Sequence, residues 1–343
     1  FDETKNYYFR IIKIHPDDIR TREQLGRLFL DEGDYENAAS ELKAVANIVP
    51  DNIETRIILA TTLFNLHKFQ ESKEEFIKIL KINPNEERAF MYLAHILMIE
   101  KKYDEAINYL NNIKQSSKLY VTARLTISQI YIKYKNNVKK AEEILKETID
   151  TKSTDILPYN YLVNIYEVMG RFEDAIELLK NALTIFPFNE EILFTLAIFY
   201  DRAGKKEYSI NEMNKVLKIN PQNALALNYI GYTYIEEGKY LDMAEKMLSQ
   251  AINLKPDNGY IMDSVGWLYY QKGDYKKALS YLTQAVQVIR NESIIFEHLG
   301  DCEIKLKKKK EAEKAYKKAL AISKRIKKDD EISRILDKIK KCK

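Results

Sequence analysis

The side chains that could carry catalysis or bind a metal are few and far apart in this sequence. Cys302 and Cys342 lack the paired spacing of a zinc site. No HExxH, P-loop or GxSxG motif is present. The four histidines are separated by many residues along the chain: His15, His67, His95 and His298. The sequence therefore predicts no enzyme, no metal site and no cofactor.

Aromatic and amide side chains offer a different chemistry, which is the binding of another chain. The sequence contains 24 Tyr and a single Trp, Trp267. Aromatic rings give a large contact area at a small cost in conformational entropy. Asn both donates and accepts hydrogen bonds, so it can pair with a peptide backbone of any sequence. Trp267 lies within residues 224–292. In this range the same helical pattern, with matching Gly, Tyr and Ala positions, occurs twice in succession.

Charge is unevenly distributed along the chain. The composition, with 31% charged and 45% hydrophobic residues, is typical of a folded globular protein. The net charge is +4, but residues 305–343 alone hold 17 Lys and Arg against 6 Asp and Glu. This basic end, which includes Lys307–Lys310 and Lys338, is interpreted as a solvated cap. Weak contact with an anionic membrane is the alternative, and nucleic-acid binding is not expected because no aromatics are interleaved with the lysines.

Proline positions divide the chain into repeating units. Pro16, Pro50 and Pro84 are 34 residues apart, Pro187 and Pro221 are also 34 apart, and Pro256 follows after 35. A fixed period of this size predicts a stack of identical supersecondary units. Nine units result: 19–52, 53–86, 87–120, 121–155, 156–189, 190–223, 224–258, 259–292 and 293–326.

The spacing within each unit predicts two amphipathic helices joined by a short turn. Small residues recur at the eighth position and at the twentieth, as in Ala60 and Ala106, and allow two helices to approach closely. Large apolar residues recur at the seventh, eleventh and twenty-fourth positions, which is the one-face periodicity of helices packed on a core. Proline at the end of a unit stops the second helix.

This pattern resembles the tetratricopeptide repeat family over nearly the whole chain. The resemblance implies an all-α, right-handed α-solenoid of about nine helix-turn-helix units. Residues 1–18 are then the second helix of a truncated unit, and residues 327–343 a basic C-terminal capping helix. The pattern departs from the family where Lys118 and Arg290 replace proline, and where Glu303 occupies a position that is usually aromatic. The unit 293–326 is therefore predicted to be the loosest.

In this family the first helices line a groove at their second, fifth, ninth and twelfth positions, and the resemblance implies the same here. Transferred by position, a partner-binding groove is predicted at amide, acidic and aromatic residues: Asn160, Asn164, Asn228, Tyr232, Tyr260, Asp263, Trp267 and Tyr270. Such residues suit an extended or helical peptide. The alternative is that Trp267 and Tyr270 are ordinary packing aromatics.

A second set of groove positions is apolar. It comprises Ile57, Phe64, Met91, Met98, Leu125 and Ile132. An apolar surface of this kind often marks a partner site, and Met adapts readily to different partners. Two alternatives remain open: these residues cover the inner seam of the helices, or they meet a second copy of the chain in a homo-oligomer.

A narrower resemblance concerns the segment that contains Trp267. Residues 257–270, DNGYIMDSVGWLYY, are similar to a segment of bacterial envelope-associated tetratricopeptide adaptors, several of which are exported or lipid-anchored. This resemblance favours the bacterial cell envelope over the cytoplasm. The chain begins at Phe1 rather than Met, which is compatible with a removed upstream segment.

The sequence thus predicts a non-enzymatic scaffold or adaptor that binds a peptide or helical segment of a protein partner in its groove. The alternative is a regulatory or accessory domain of a larger protein whose catalytic part lies upstream of residue 1. A catalytic domain found before Phe1 would favour the accessory-domain alternative over the adaptor prediction.

Overall fold

The computed structural model describes residues 2–152 and 154–342, and it contains twenty α-helices and no strand in these ranges. Phe1, Ser153 and Lys343, which fall in the predicted N-terminal helix, the unit 121–155 and the capping helix, lie outside the described residues. None of the described helices combines the length and the apolar character that a membrane crossing requires.

The chain forms two compact units, and the first is Phe1–Met169. Its ten helices are α1 (Asp2–Ile14), α2 (Ile19–Asp31), α3 (Tyr35–Ile48), α4 (Ile53–Asn65), α5 (Phe69–Ile82), α6 (Glu87–Ile99), α7 (Tyr103–Asn111), α8 (Tyr120–Lys133), α9 (Val138–Thr151) and α10 (Leu157–Val168).

The second compact unit is Gly170–Lys343. Its helices are α11 (Phe172–Ile185), α12 (Glu190–Arg202), α13 (Lys206–Ile219), α14 (Ala224–Glu236), α15 (Leu241–Leu254), α16 (Gly259–Gln271), α17 (Tyr275–Val288), α18 (Ser293–Lys305), α19 (Lys309–Ile326) and α20 (Asp329–Cys342). Within it, α12 packs with α13, α14 with α15, α16 with α17 and α18 with α19 as helical hairpins. The assignment of the hairpins to nine repeats remains a proposal.

The first helix of a pair usually begins at a side chain that caps it. Asn52, Asn189, Asn223 and Asn258 each precede a first helix and accept a hydrogen bond from a backbone N–H of its first turn. Such a cap satisfies one of the donors that a helix start leaves without an intrahelical partner. In each case a proline lies two residues before the cap, where it cannot continue the preceding helix.

Small residues hold the two helices of a pair at close distance. A Cβ added to Gly266 would lie 2.7 Å from Leu282 Cγ, and one added to Gly231 would lie 2.9 Å from Leu248 Cγ. In other pairs Ala takes this place, as Ala60 and Ala94 do, and is fully buried. The small size of the residue at this position therefore sets the distance between the two helices of each pair.

The turns between paired helices need a residue in the left-handed region. Five glycines hold it, including Gly204 and Gly273, but His67, Lys101, Asn136, Tyr240 and Lys307 hold it elsewhere. A residue with a Cβ is less stable than glycine in this conformation.

Replacing Lys101 by glycine should therefore raise the free energy of unfolding by roughly 0.5–1 kcal/mol. Denaturant unfolding of the whole chain would measure the change. The control is Lys102→Gly, one residue on, where φ is −92° and no such relief exists. Equal effects of the two substitutions would contradict this interpretation of the turn.

One helix is shorter than the repeat pattern predicts. α7 ends at Asn111 after 9 residues, whereas most other second helices have 14. The residues that follow form a loop in which Ser117 Oγ donates to Glu87 Oε2 at 2.5 Å. Lys118 stands where other units have proline. This side-chain contact ties the loop to the first residue of α6.

Candidate functional site

A cavity of about 480 Å³ in the second compact unit is lined only by the first helices of four successive pairs. It is lined by Phe194 and Ile198 of α12, Leu225, Asn228, Tyr229 and Tyr232 of α14, Tyr260, Asp263 and Ser264 of α16, and Ile294 of α18. We call this surface the α12–α18 groove. Four of the predicted groove residues, Asn228, Tyr232, Tyr260 and Asp263, are among those that line it.

Three large apolar side chains form an exposed row along this groove. Leu225, Tyr260 and Ile294 are 38%, 50% and 37% exposed. Each occupies the second position of its helix, on α14, α16 and α18. One exposed apolar residue is ordinary on a protein surface, but a contiguous row beside a cavity is typical of an interaction surface.

Asn228 brings an unsatisfied polar atom to the cavity wall. Its Oδ1 is buried and accepts no hydrogen bond from the described residues. A buried acceptor without a partner costs roughly 1–3 kcal/mol. An incoming N–H, from a backbone or a side chain, would remove this cost, so the groove is suited to a ligand that donates here.

Asn228→Leu should raise the free energy of unfolding by about 1 kcal/mol, because it removes the unsatisfied oxygen and keeps a similar volume. Thermal or denaturant unfolding would show it. Asn164→Leu, at an exposed position, serves as the control and should change stability little. A clear loss of stability in Asn228→Leu would mean that the amide has a partner that the groove geometry does not show.

Trp267 belongs to a stack that is anchored at the cavity wall. Asp263 is buried, and its two carboxylate oxygens lie 3.0 and 3.1 Å from His298 Nδ1. The His298 ring stacks on Trp267 with 4.1 Å between centroids, and Trp267 stacks on Tyr270 at 4.5 Å. Trp267 and Tyr270 are half-buried. Trp267 and Tyr270 do not line the cavity, and replacing Trp267 would therefore remove internal packing.

Two tyrosines of this region, Tyr232 and Tyr270, have raised pKa values. Burial raises the pKa of Tyr232, and the carboxylates of Glu236 and Asp263 raise it further. Burial, followed by the charge of Asp301, raises the pKa of Tyr270 to about 12. Burial is the larger cause of both shifts, and the neighbouring carboxylates add to it because negative charge disfavours the tyrosinate form.

The remaining predicted residues of this set, Asn160 and Asn164, lie in the first compact unit on α10. Asn164 is exposed and, with Ile132 of α8, lines a separate cavity of about 430 Å³. Tyr161 on its wall accepts a hydrogen bond from Gln129 Nε2 at 2.7 Å. Asn160 is half-buried and does not line that cavity.

The predicted apolar patch of the first unit is only partly at the surface. Ile57, Met91 and Leu125 are buried, with exposures of 5%, 8% and 7%. They occupy the fifth position of α4, α6 and α8, where neighbouring helices cover them. This burial favours the alternative that the three residues close the inner seam of the helices, and their role in partner binding stays a prediction.

The other three members of that patch are half-buried: Phe64, Met98 and Ile132. Phe64 packs edge-on against Phe69 and Tyr92, with 5.4 Å between each pair of ring centroids. Their role in partner binding or self-association stays a prediction.

The C-terminal helix is held by ion pairs to a buried carboxylate, that of Glu297. Glu297 of α18 accepts two hydrogen bonds from Arg334, at 2.8 and 2.9 Å, and one from Lys338 at 2.7 Å. Lys338 also lies 2.7 Å from Asp301. Burial alone would raise the pKa of Glu297, but the hydrogen bonds from Arg334 and Lys338 outweigh it and lower that pKa. Lys338 is therefore not a solvated surface charge, so the interpretation of the basic end as a solvated cap is wrong for this residue, whereas Lys307–Lys310 are exposed.

Glu303 changes the packing of the last hairpin. In five earlier units the equivalent residue is a tyrosine: Tyr131, Tyr166, Tyr200, Tyr234 and Tyr269. Glu303 lines an open cavity of about 590 Å³ beside α17 and α19, and its Oε2 is buried without a partner among the described residues. Burial, followed by the nearby Glu311 carboxylate, raises the pKa of Glu303 to about 7.

This raised pKa predicts a pH effect on stability. The unfolded carboxyl titrates near 4.5, and between that value and about 7 the folded chain holds a proton that the unfolded chain has lost. The contribution of Glu303 to stability is thus fully present below pH 4.5 and is lost as pH rises through about 7. Because the group is partly exposed, the loss should be only about 1 kcal/mol.

Comparing Glu303→Gln with the native chain across this pH range isolates the effect, because the other carboxylates are common to both. The difference in unfolding free energy should grow in favour of Gln as pH rises. A difference that does not change with pH would exclude a raised pKa at Glu303.

The described part of the chain contains no group of side chains arranged to bind a metal ion, and its two cysteines are not reactive thiols. No group of three or more His, Cys, Asp or Glu side chains in residues 2–152 and 154–342 is arranged to hold a metal ion. Cys302 and Cys342 are buried free thiols. Burial raises the pKa of Cys302 to about 11, which leaves it as an unreactive thiol at neutral pH.

Sequence reasoning missed several groove residues. Leu225, Tyr229 and Ile294 line the cavity but were not predicted, and neither were Phe194, Ile198 and Ser264. Leu225 and Ile294 stand at the same second position as Tyr260, which was predicted. The second position of the repeat therefore indicated Leu225 and Ile294, but the prediction was limited to aromatic, amide and acidic side chains.

Family models match three parts of the chain. The model of the tetratricopeptide repeat protein 21 ARM repeat matches residues 36–148. Two tetratricopeptide repeat models match residues 169–227 and 264–325. Together the three ranges cover most of the chain, and matches fall in both compact units.

Several known proteins are similar to this chain in sequence or in structure. BBSome complex member BBS4 from Bos taurus is 26% identical over 58% of this chain and 38% of its own length. Anaphase-promoting complex subunit 3 from Schizosaccharomyces pombe is 23% identical over 59% of this chain and 30% of its own length. A thermophilic TPR protein from Thermus thermophilus has a TM-score of 0.45 and 21% identity, covering 52% of this chain and 96% of that chain.

The chain spans well under half the length of the two curated relatives. Both relatives are named as members of multi-protein complexes. The helical hairpins, the small residues at their contacts and the three family-model matches agree. The chain is a tetratricopeptide repeat protein.

Proposed function

We propose that this chain is a protein-interaction scaffold whose α12–α18 groove binds a peptide or helical segment of another protein. The observation that carries the proposal is the exposed row of Leu225, Tyr260 and Ile294 beside the cavity. Large apolar side chains in such a position are expected to anchor a partner, because burying them contributes most of the binding free energy of an interface.

Two properties of the groove support a peptide segment over a small molecule. The cavity is open along one side and extends over four helices, whereas small-molecule sites enclose most of their ligand. Asn228 supplies a buried acceptor that the backbone N–H of a bound segment could satisfy without regard to its sequence.

Tetratricopeptide repeats generally mediate protein–protein interactions, and the fold is generally a non-catalytic scaffold. An adaptor role is therefore preferred. An accessory role beside a catalytic domain elsewhere in a longer protein is the second candidate, because the curated relatives are much longer than this chain. Those two relatives are eukaryotic, so we retain the binding role and do not propose the bacterial-envelope setting.

Site-specific photo-crosslinking tests the proposal while the partner is still unidentified. A benzoylphenylalanine placed at Leu225 or Ile294, in the groove, should form a covalent adduct with a defined protein in extracts of the source cells. The matched control is Tyr208, which is 59% exposed on α13, a second helix that does not line the groove.

Adducts at Leu225 and Ile294 that are absent at Tyr208 support binding in the groove. Equal capture at all three positions, or capture only at Tyr208, would overturn the proposal. Circular dichroism of each variant should show unchanged helicity, since all three side chains are exposed.

A further inference from the structure

The charges of the second compact unit are divided between its two sets of helices. The first helices α12, α14, α16 and α18 contain eight Asp and Glu residues against two Lys and Arg. The second helices α13, α15, α17 and α19 contain thirteen Lys and Arg against six Asp and Glu. Since only first helices line the groove, the negative charge lies on the helices that a partner would contact.

Two carboxylates flank the apolar row of the groove. Glu191 is exposed and occupies on α12 the same second position that Leu225 occupies on α14. Among the described residues it forms no ion pair. Glu236, at the end of α14, is 44% exposed at its side chain, lies 3.5 Å from Lys206 and is next to Tyr232 of the groove. Both carboxylates are accessible to a charged ligand.

The interior of the groove is negative as well. Asp263 lies on the cavity wall, and its charge contributes to the raised pKa of Tyr232. Asp201, at the end of α12, acts on Tyr229 in the same direction. No Lys or Arg is among the residues that line the cavity.

The chain itself shows which partner such a row of carboxylates accepts. Glu297 and Asp301 are the fifth-position and ninth-position residues of α18. Both are covered by α20, an amphipathic helix that presents Arg334 and Lys338 to them, while its Ile335 is buried in the adjacent core. Within this chain, the segment that covers the carboxylates of a first helix is therefore basic and contains a buried apolar residue.

We propose, on the basis of the groove binding proposed above, that the α12–α18 groove selects a protein segment in which Lys or Arg residues flank a large apolar anchor. The anchor enters the cavity between Leu225, Tyr260 and Ile294. The flanking cations lie beside Glu191 and Glu236. A backbone N–H of the segment donates to Asn228 Oδ1.

Synthetic peptides of about twelve residues, enough to cross several helices, test this selectivity. Three sets share a central Phe or Leu anchor and differ in their flanks, which are Lys, Ser or Glu. The peptides contain no Trp, so the emission of Trp267 reports binding through the stack that joins it to His298 and Asp263. Fluorescence anisotropy of labelled peptides gives the affinities.

The Lys-flanked peptides should bind at least about tenfold more tightly than the Glu-flanked ones at low salt. The difference should shrink as salt screens the charges. Equal affinity of the two sets, or no binding by any Lys-flanked peptide, would overturn the inference.

Charge reversal separates groove binding from general attraction to an acidic protein. Glu191→Lys should reduce the preference for Lys flanks by about fivefold or more. Glu207→Lys, which makes the same change in net charge on the second helix α13, should leave it within about twofold. Equal effects of the two substitutions would place the attraction outside the groove and contradict the inference.

The two proposals fail in different ways. If crosslinking at Leu225 captures a protein but the peptides show no preference for Lys, the charge selectivity is wrong and the groove role stands. If crosslinking shows no capture in the groove and no peptide alters Trp267 emission, both are wrong.

Discussion

Removing both Arg334 and Lys338 by substitution to alanine is expected to lower the unfolding free energy of the last three helices by about 3–5 kcal/mol. These side chains supply the hydrogen bonds and positive charge around Glu297, whose side chain is 3% exposed. Without them a buried carboxylate would have no compensating charge, and the loss of Lys338 would also free Asp301. Hydrogen exchange of α18, α19 and α20 would measure the local loss.

Two comparisons make this prediction specific. Lys340→Ala with Lys341→Ala removes the same number of charges from exposed positions and should cost less than about 1 kcal/mol. Adding Glu297→Gln to the double variant should recover part of the stability, because the uncompensated charge is removed. A double variant as stable as the native chain would show that the Glu297 contacts do not hold α20 in place.

Gly300→Ala should destabilise the chain by about 2–3 kcal/mol, although alanine is the better helix former by roughly 1 kcal/mol. The new Cβ would lie 2.5 Å from Tyr316 Cε1 and 2.7 Å from Cδ1. The ring cannot turn away freely, since its hydroxyl donates to Asp301 at 2.7 Å. Denaturant unfolding followed by circular dichroism would record the loss.

Gly26→Ala is the matched control, because the chemical change and the position in the repeat are the same. There the Cβ would lie 3.2 Å from Leu42 Cγ, at the flexible side chain of a different pair. We expect a change within about 1 kcal/mol of zero. If both substitutions have the same effect, the close contact at Gly300 does not limit the packing of the last hairpin.

The fold was predictable because its determinants are local and repeat. A small residue such as Ala60 or Gly266, one turn glycine and one proline recur at nearly fixed distances, and each has a direct steric consequence. The exceptions are also local. α7 ends early, at Asn111, in the unit where Lys118 replaces a proline, whereas α17 keeps its 14 residues although Arg290 makes the same replacement.

The candidate site was less predictable because burial depends on which helices pack together. Position alone assigned Met91 and Leu125 to a groove surface, but neighbouring helices bury both. The ion pairs of Lys338 with Glu297 and Asp301 join residues more than thirty positions apart, and charge counts along the sequence could not reveal them. Leu225 and Ile294 were overlooked because aliphatic residues resemble core positions in a sequence.

Glu303 illustrates the opposite case, in which a departure in sequence marked a departure in structure. A carboxylate at the position of five tyrosines indicated a loose last unit. The structure has a cavity of about 590 Å³ at this residue and a carboxylate oxygen without a partner in the described residues. Deviations from a repeat are thus more informative about local packing than about function.

The central claim is that the α12–α18 groove binds a segment of another protein through its apolar row. The most direct test measures the affinity of the segment captured by crosslinking for the native chain, for Leu225→Asp with Ile294→Asp, and for Tyr208→Asp. The groove variant should lose about 2 kcal/mol or more of binding free energy while the Tyr208 variant binds as the native chain does. Equal affinity for all three, with all three folded, would contradict the claim.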